Sequence, residues 1–433
     1  MLTTIFKLWG GELMATCFLK QKTSAFTWER YENFTEGLTP RQEPGIEQAD
    51  QPENLSVARK YLAATHVGNY ALFGGGSYYT DTVDAYNTSL EKSTPTPLSQ
   101  ARSYLAATHV GNYALFGGGY NGDYVEFSNV VDAYDISLNR TTPIHLSVKR
   151  RYLAATHVGN YALFGGGELT GTGASQYMSA VDAYDLSLNR TTAIHLSIGR
   201  KYLAATNVGN YALFGGGHNS TEWTGYTVDA YDNLLNKVNT INLSRNKEYP
   251  VATHVGNYAL FAGAHYYKGD DGTLSSTIDA YDTPLNRITI DLPDDYRDGG
   301  AATHIGDYSL FGGGSINYHS GRTVDTVYVY NSSLERSSTQ NLDIGKARLA
   351  ATHVGDYALF AGGYINNGDG HDYNTNTVDA YQENQELCDF PVIPNSIYKF
   401  EPYGSETTAS DFSKVTVNYP VNGYVKYIST TLN

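Results

Sequence analysis

The chain has 433 residues, of which 44 are glycine, 38 are tyrosine and only 17% are charged. Glycine and tyrosine form helices poorly, and 41% apolar residues suffice to bury a core, so the composition excludes a helical or a disordered protein. The formal net charge of −15 repels phosphate groups and argues against nucleic acid and anionic membranes as partners. No run of apolar residues is long enough to predict a membrane span.

The segment before the patterned part of the chain carries two competing signals. Gly10-Gly11-Glu12 precedes Met14, and in a bacterial gene the codons of Gly-Gly-Glu can spell a purine-rich ribosome-binding site. We therefore expect residues 1–13 to be untranslated leader read in frame and the protein to begin at Met14. The alternative, a lipoprotein cleavage box ending at Cys17, fits poorly because threonine precedes the cysteine.

One sequence unit occurs seven times. Ala-Ala-Thr-His or a close variant begins at Ala63, Ala106, Ala154, Ala204, Val251, Ala301 and Ala350. A period of roughly 40 to 50 residues with strand-like content is typical of a β-propeller, in which each unit is one four-stranded blade.

Each unit predicts four antiparallel strands, as residues 150–197 illustrate. A small-residue strand ends at Gly159-Asn160, the type of pair that a two-residue hairpin turn with positive φ requires. An apolar second strand stops at three glycines, and the third strand is closed by Asp185, whose side chain can cap the following turn. Thr191 to Leu196 forms the fourth predicted strand.

The unit closely resembles the Kelch repeat, and the resemblance covers about residues 57–381. It rests on an order of Arg, a small-residue strand, Gly-Asn, Tyr-Ala-Leu-Phe-Gly-Gly, Val-Asp-Ala-Tyr-Asp and Leu-Ser. The resemblance implies an all-β fold, a seven-bladed β-propeller of Kelch-like four-stranded antiparallel blades. One departure is the missing tryptophan of the fourth Kelch strand, near whose place Thr142 or Thr192 stands.

The repeats also predict the domain organisation. We expect an N-terminal extension at residues 1–47, the propeller at residues 48–392 and a short appendage at residues 393–433. The appendage contains two alternating runs around Pro420 and Asn422, which predict a β-hairpin.

The ring must close, because an open propeller would expose two sheet edges. Gln51 to Ser56 is similar to Thr142 to Ser147, which favours the N-terminal segment as the fourth strand of the seventh blade. Leu387 to Val392 is the alternative.

Positions that recur in every unit are interpreted as structural. Nineteen of the 38 tyrosines occupy three repeated positions and are expected to pack in the core or between blades. One further position holds His66, His109, His157, His254, His304 and His353, with Asn207 in the fourth unit. We expect the ring to spread these side chains too far apart for tetrahedral metal ligation, and asparagine can replace histidine only as a hydrogen-bonding group.

A basic residue stands seven positions before each of these side chains. The residues are Arg59, Arg102, Arg150, Arg200, Lys247, Arg297 and Lys346. They precede the strand that lines the channel in Kelch propellers, and a ring of cations at a channel mouth attracts anions, such as a sialylated or uronic-acid glycan, in a salt-sensitive manner. The alternative is a salt bridge from each to an aspartate of the neighbouring blade.

The loops after the glycines vary most among the units. They are rich in tyrosine, asparagine, aspartate, serine and histidine, a mixture that suits a sugar ring and equally a protein surface. Besides the seven basic residues, we predict as ligand-binding Tyr79, Tyr124, Tyr177, Trp223, Tyr267, Tyr318 and Tyr373. Asp270-Asp271 and residues 367–372 offer oxygen ligands without a complete calcium-loop pattern, so we predict no metal or cofactor.

The sequence therefore favours a non-catalytic recognition propeller that binds a glycan or a protein through these loops. We expect a bacterial or bacteriophage protein at a cell surface or on a virion, such as a phage-tail component assembled through its terminal appendages. The enzyme alternative implied by the Kelch resemblance is a sialic-acid mutarotase. A copper oxidase is not expected, because Cys17 and Cys388 both lie outside the repeats. A purely structural assembly protein is the third possibility.

Overall fold

The computed structural model describes residues 39–40, 45–77, 80–121, 126–170, 175–219, 225–264, 276–292, 298–316, 321–368, 371–384, 388–389, 397–401, 407–410 and 424–429. All regular elements among these residues are β-strands. The described part of the chain contains no helix long and apolar enough to cross a membrane. The chain divides into two compact units, residues 46–382 and residues 1–45 with 383–433.

Residues 46–382 form seven four-stranded antiparallel blades, which confirms the predicted seven-bladed β-propeller. The first strands are Ala63–Val67, Ala106–Val110, Ala154–Val158, Ala204–Val208, Val251–Val255, Ala301–Ile305 and Ala350–Val354. The second strands are Tyr70–Gly74, Tyr113–Gly117, Tyr161–Gly165, Tyr211–Gly215, Tyr258–Ala264, Tyr308–Gly312 and Tyr357–Ala361. The third strands are Val83–Asn87, Val131–Asp135, Val181–Tyr184, Val228–Asp232, Ser276–Tyr281, Val327–Asn331 and Val378–Glu383.

The fourth strands complete the outer edges of the blades. They are Lys92–Ser93, Arg140–Thr141, Arg190–Ala193, Lys237–Val238, Arg287–Asp291, Arg336–Ser337 and, for the seventh blade, Ile46–Gln48. Three of the loops after the glycines form small hairpins, which pair Tyr120–Asn121 with Glu126–Phe127, Glu168–Thr170 with Ser175–Tyr177, and Tyr364–Ile365 with Tyr373–Asn374.

The first strands surround the central channel. Each contacts the first strands of both neighbouring blades, and Ala63–Val67 contacts Ala350–Val354, so the ring is closed. In the first blade Ala63 and Val67 are buried between blades, whereas Ala64 and His66 are partly exposed on the channel side. Successive side chains of a strand point to opposite faces, so every second residue of the first strand lines the channel.

The glycines after each second strand allow neighbouring blades to approach closely. A Cβ on Gly117 would lie 2.7 Å from the ring of Phe164 in the next blade. Gly118 has a φ of +70°, and a Cβ there would lie 2.8 Å from the carbonyl oxygen of Arg150. Both positions consequently require glycine.

The third strands carry the main aromatic core. The ring of Tyr184 packs edge to face against Phe164 at 5.9 Å, and its hydroxyl donates to the carbonyl of Ile144. The same edge-to-face pair recurs in all seven blades. The turn that follows has the predicted cap, because Oδ1 of Asp185 accepts from the backbone N–H of Asn189 at 2.9 Å.

The N-terminal segment closes the ring, as the sequence predicts. Ile46–Gln48 lies beside Val378–Glu383 as the fourth strand of the seventh blade, and the N–H of Ala49 donates to the carbonyl of Ala380 at 2.8 Å. The strand lies just before residues 51–56, the segment on which the prediction rested.

The second unit also contains paired strands. Thr39–Pro40 pairs with Cys388–Asp389. A three-stranded sheet places Ile397–Glu401 between Thr407–Ser410 and Tyr424–Ser429. The first arm of the hairpin expected around Pro420 lies outside the described residues, as do residues 1–13.

Candidate functional site at the channel mouth

The residue two positions before each first strand has a left-handed backbone conformation. These residues are Tyr61, Tyr104, Tyr152, Tyr202, Tyr249, Gly299 and Arg348, and their φ angles lie between 54° and 69°. Such a conformation costs a non-glycine residue about 1–3 kcal/mol and tends to persist at binding and catalytic sites. The channel mouth formed by these residues is therefore a candidate site.

Backbone hydrogen bonds connect these residues from blade to blade. The N–H of Tyr152 donates to the carbonyl of Tyr104 at 3.1 Å, and the same bond joins Tyr104 to Tyr61 and Tyr202 to Tyr152. The N–H of Tyr61 donates in turn to the carbonyl of Arg348 at 3.0 Å. The left-handed conformation is thus held by a chain of bonds around the mouth.

Five of these residues form an arc of tyrosines, which we call the tyrosine arc: Tyr61, Tyr104, Tyr152, Tyr202 and Tyr249. Neighbouring rings have centroids 4.0 to 4.5 Å apart. The hydroxyls hydrogen-bond to one another along the arc, and burial together with neighbouring phenols raises the pKa of Tyr104 and Tyr202 far above the ordinary value. The arc consequently presents neutral hydroxyl groups.

A cavity of about 430 Å³ lies at the mouth. The tyrosine arc lines it together with Gly299, Gly300, Arg348 and the apolar residue that follows each arc position, such as Leu153 or Pro250. This lining combines aromatic rings, aliphatic groups and hydroxyls. We refer to it as the mouth cavity.

The arc is interrupted in the sixth and seventh blades. A Cβ on Gly299 would lie 2.7 Å from Cδ of Arg348, so the arginine occupies the space of the missing side chain. The guanidinium lies 4.8 Å from the ring centre of Tyr249 and donates through Nη2 to Asp298. Burial raises the pKa of Asp298, and the charge of Arg348 opposes that shift.

Three further cations stand immediately before arc tyrosines, and a hairpin from a glycine loop brings a tyrosine ring close to each of them. The guanidinium of Arg151 lies 4.6 Å from the ring centre of Tyr152 and 5.0 Å from that of Tyr120. Lys201 lies 4.8 Å from the ring centre of Tyr202. Lys60 occupies the same position in the first blade, 5.4 Å from the ring centre of Tyr61.

Carboxylates pair with these cations. Glu168 accepts from Lys201 at 2.7 Å and lies 3.0 Å from Arg151, although its own side chain is only 2% exposed. Lys60 lies 2.8 Å from Asp372. The described part of the mouth therefore holds cations and carboxylates in pairs.

The predicted basic ring is buried rather than exposed. Its six described members are at most 1% exposed, and each pairs with an aspartate of the third strand of its own blade. The pairs are Arg59 with Asp84, Arg102 with Asp132, Arg150 with Asp182, Arg200 with Asp229, Lys247 with Asp279, and Lys346 with Asp379.

The expectation that these cations face solvent is therefore wrong for the six described members. The alternative of a salt bridge to an aspartate is confirmed, but the aspartate belongs to the same blade and not to the neighbouring one. The physical reason is visible at Arg150, whose Nη2 donates to Asp182 at 2.8 Å and to the carbonyl of Phe164 at 3.1 Å. The side chain lies at the end of its own second strand, where the carbonyl of Phe164 supplies a second acceptor beside the aspartate. Arg297 lies outside the described residues.

Two of the predicted loop residues are described. Tyr177 lies near the mouth, with its ring 5.6 Å from Nζ of Lys201 and edge to face with His218 at 6.0 Å. Tyr373 is 54% exposed on its hairpin. The remaining predicted loop residues lie outside the described part of the chain and stay predictions: Tyr79, Tyr124, Trp223, Tyr267 and Tyr318.

The repeated histidines contact one another, contrary to expectation. Neighbouring ring centroids are 3.8 to 4.3 Å apart, because the small residues of the first strands allow all seven blades to lie close to the axis. Burial lowers the pKa of His66 to about 3 and that of His254 and His353 to about 4, so these rings are neutral near pH 7. Within the described residues no cluster could hold a metal ion.

The sequence predicts the tyrosines of the arc as core or inter-blade packing groups, and their rings do pack from blade to blade, but it does not indicate that they line a cavity. One signal for it was present, since Gly299 and Arg348 replace tyrosine at this position in two units. A side chain required by the fold recurs in every blade, as the third-strand tyrosines do.

No protein-family model matches the sequence, and no curated protein matches it either. The structure defines the class of protein: an all-β, seven-bladed β-propeller of four-stranded antiparallel blades. This fold is consistent with a binding or recognition role.

Proposed function

We propose that the protein is a non-catalytic, Kelch-like recognition propeller that binds a glycan in the mouth cavity. The tyrosine arc is the observation that carries this proposal. Five phenol rings line the cavity beside aliphatic side chains and bring hydroxyl groups to one rim. A sugar ring has the complementary groups, namely C–H faces and hydroxyl edges.

The size and the backbone of the site support binding of a small ligand. The cavity volume of about 430 Å³ falls within the roughly 300–1,000 Å³ of typical small-molecule pockets. Six non-glycine residues, the five arc tyrosines and Arg348, keep a strained left-handed conformation there, an arrangement that proteins retain where side chains must be held in place.

The charged groups favour recognition over catalysis. Glu168 is paired with Arg151 and Lys201, and Asp298 with Arg348. Carboxylates bound in this way hold the neighbouring cationic side chains in position. Tyr177 and Tyr373 on the glycine-loop hairpins extend the proposed binding surface outward. The surface or phage-tail location remains a prediction from the sequence.

A glycan array probed with the purified chain tests the proposal, followed by calorimetric titration of any glycan that binds. Tyr152→Ala should weaken binding at least about tenfold, equivalent to 1.4 kcal/mol, because it removes a central ring of the arc. Tyr152→Phe should have a smaller effect, since it removes only the hydroxyl. Tyr113→Phe is the matched control and should bind like the wild type, because Tyr113 begins a second strand and pairs with Val110 at the end of the first strand that lies away from the mouth.

Two results would refute the proposal. The first is an array on which no glycan binds the folded protein. The second is a Tyr152→Ala variant that remains folded and binds the selected glycan with wild-type affinity.

A further inference from the structure

We infer that the ligand of the mouth cavity is an uncharged sugar, bound at the gap in the tyrosine arc where Arg348 pairs with Asp298. This inference rests on the proposed function and specifies its ligand class. It differs from the expectation drawn from the sequence, which was an anionic glycan attracted by a basic ring.

The charges around the mouth balance. The described cations there are Lys60, Arg151, Lys201 and Arg348. The described carboxylates are Asp372, Glu168, Asp298 and Glu248, the last of which pairs with His218 at 3.0 Å. Among the described residues, four positive and four negative groups therefore give the mouth no net positive charge that would attract an anion.

The carboxylates also cannot easily make room for an anion. The side chains of Glu168 and Asp298 are 2% and 11% exposed, so neither can turn into water when a negative group approaches. A bound anion would therefore lie beside buried negative charge, and it would lose its own hydration in doing so. The desolvation cost is much smaller for an uncharged hydroxyl.

Arg348 offers a direct contact for such a hydroxyl. It lines the mouth cavity, and its guanidinium has five N–H donors, of which Nη2 is used by Asp298. A sugar hydroxyl can accept from another of these donors and can also exchange hydrogen bonds with the tyrosine hydroxyls. Gly299 contributes by its lack of a side chain, because a tyrosine there would occupy the space of Arg348.

Matched pairs of neutral and acidic sugars test the inference. The pairs are galactose with galacturonic acid, glucose with glucuronic acid, and lactose with sialyllactose, each measured at low and at high sodium chloride. We expect the neutral member to bind at least about tenfold more tightly, with an affinity that changes less than about twofold with salt. Preference for the acidic member, or a steep loss of affinity with salt, would overturn the inference and leave glycan binding intact. Failure of all sugars on the full array would instead overturn the proposed function.

Variants of Arg348 locate the contact. Arg348→Gln should weaken binding of the neutral sugar at least about tenfold, and Arg140→Gln on the outer edge of the second blade should have no effect. Arg348→Lys is the second variant should the first fail to fold, and it should also bind several-fold more weakly, because an ammonium cannot replace the planar fork. Wild-type affinity in a folded Arg348 variant would exclude this residue from the site.

Discussion

Replacing Arg150 by methionine tests the buried ion pairs that tie each blade together. The side chains of Arg150 and Asp182 have no exposed surface, and Nη2 of the arginine lies 2.8 Å from Oδ2 of the aspartate. Methionine fills much of the same volume but leaves the carboxylate without its buried cation. Removal of one partner from a buried pair typically costs about 3–5 kcal/mol, so Arg150→Met should destabilise the propeller strongly.

The surroundings of Asp182 set the magnitude near the lower end of that range. The backbone N–H and the hydroxyl of Ser147 both donate to the carboxylate, and Arg190 lies 3.5 Å away. We therefore expect a loss of about 3 kcal/mol. With an unfolding entropy of about 2.1 cal/mol/K per residue over residues 46–382, this loss lowers the melting temperature by roughly 4 °C.

Differential scanning calorimetry measures the shift, and Arg190→Met is the matched control. Arg190 approaches the same carboxylate but is 24% exposed, so its removal should cost less than about 1 kcal/mol. The double change of Arg150→Met with Asp182→Asn should recover part of the loss, since no buried charge then remains unpaired. Equal melting temperatures for Arg150→Met and Arg190→Met would show that the buried pair has no special role.

Three other changes follow from the structure. Burial lowers the pKa of His254 and His353 to about 4. Below about pH 6.5 the two histidines therefore bind protons in the unfolded chain but not in the folded chain. The free energy of unfolding should fall by about 3 kcal/mol for each of the two histidines as the pH is lowered from about 6.5 to 4. A melting temperature that stays constant over this pH interval contradicts the prediction. Gly118→Ala should cost at least about 1 kcal/mol in urea unfolding, because of the positive φ and the nearby carbonyl, and wild-type stability would count against it. Deletion of residues 1–50 should open the edge of the seventh blade and produce concentration-dependent association in light scattering, whereas a monomer with unchanged melting would disprove this role of the N-terminal strand.

The blade architecture could be predicted because it depends on residues close together in sequence. Gly159-Asn160 determines a hairpin turn by itself, and Asp185 caps a turn through a residue only four positions away. Seven repetitions of such local signals leave few folds besides a propeller.

The burial of Arg150 could not be predicted in the same way. Its partner Asp182 lies 32 residues further along the chain, and the pairing depends on how the entry segment crosses the end of the sheet. The net charge of the protein and the repetition of arginine are compatible with an exposed ring as well as with a buried one. Only the three-dimensional position of the third strand distinguishes between them.

The site at the mouth depends on a backbone angle that the sequence conceals. Tyr152 has a φ of 56° where it joins the tyrosine arc. Tyrosine seldom adopts that conformation, so no propensity indicates it. The contacts among the histidines were missed for a related reason, because the width of the channel follows from the packing of all seven blades.

The closing strand also determines the order in which the protein can mature on the ribosome. Glu47 accepts a hydrogen bond from Gln382, a partner 335 positions later in the chain. At a synthesis rate of roughly 5–20 residues per second, the N-terminal strand waits about 17–67 s before the strand that it must pair with has been made. Earlier blades can form during this interval from contacts between successive units, whereas completion of the seventh blade requires a loop closure across the entire ring. Nascent chains released before Gln382 would consequently carry an unpaired strand at one end and an incomplete blade at the other. The unpaired strand of one such molecule could then pair with the incomplete blade of another.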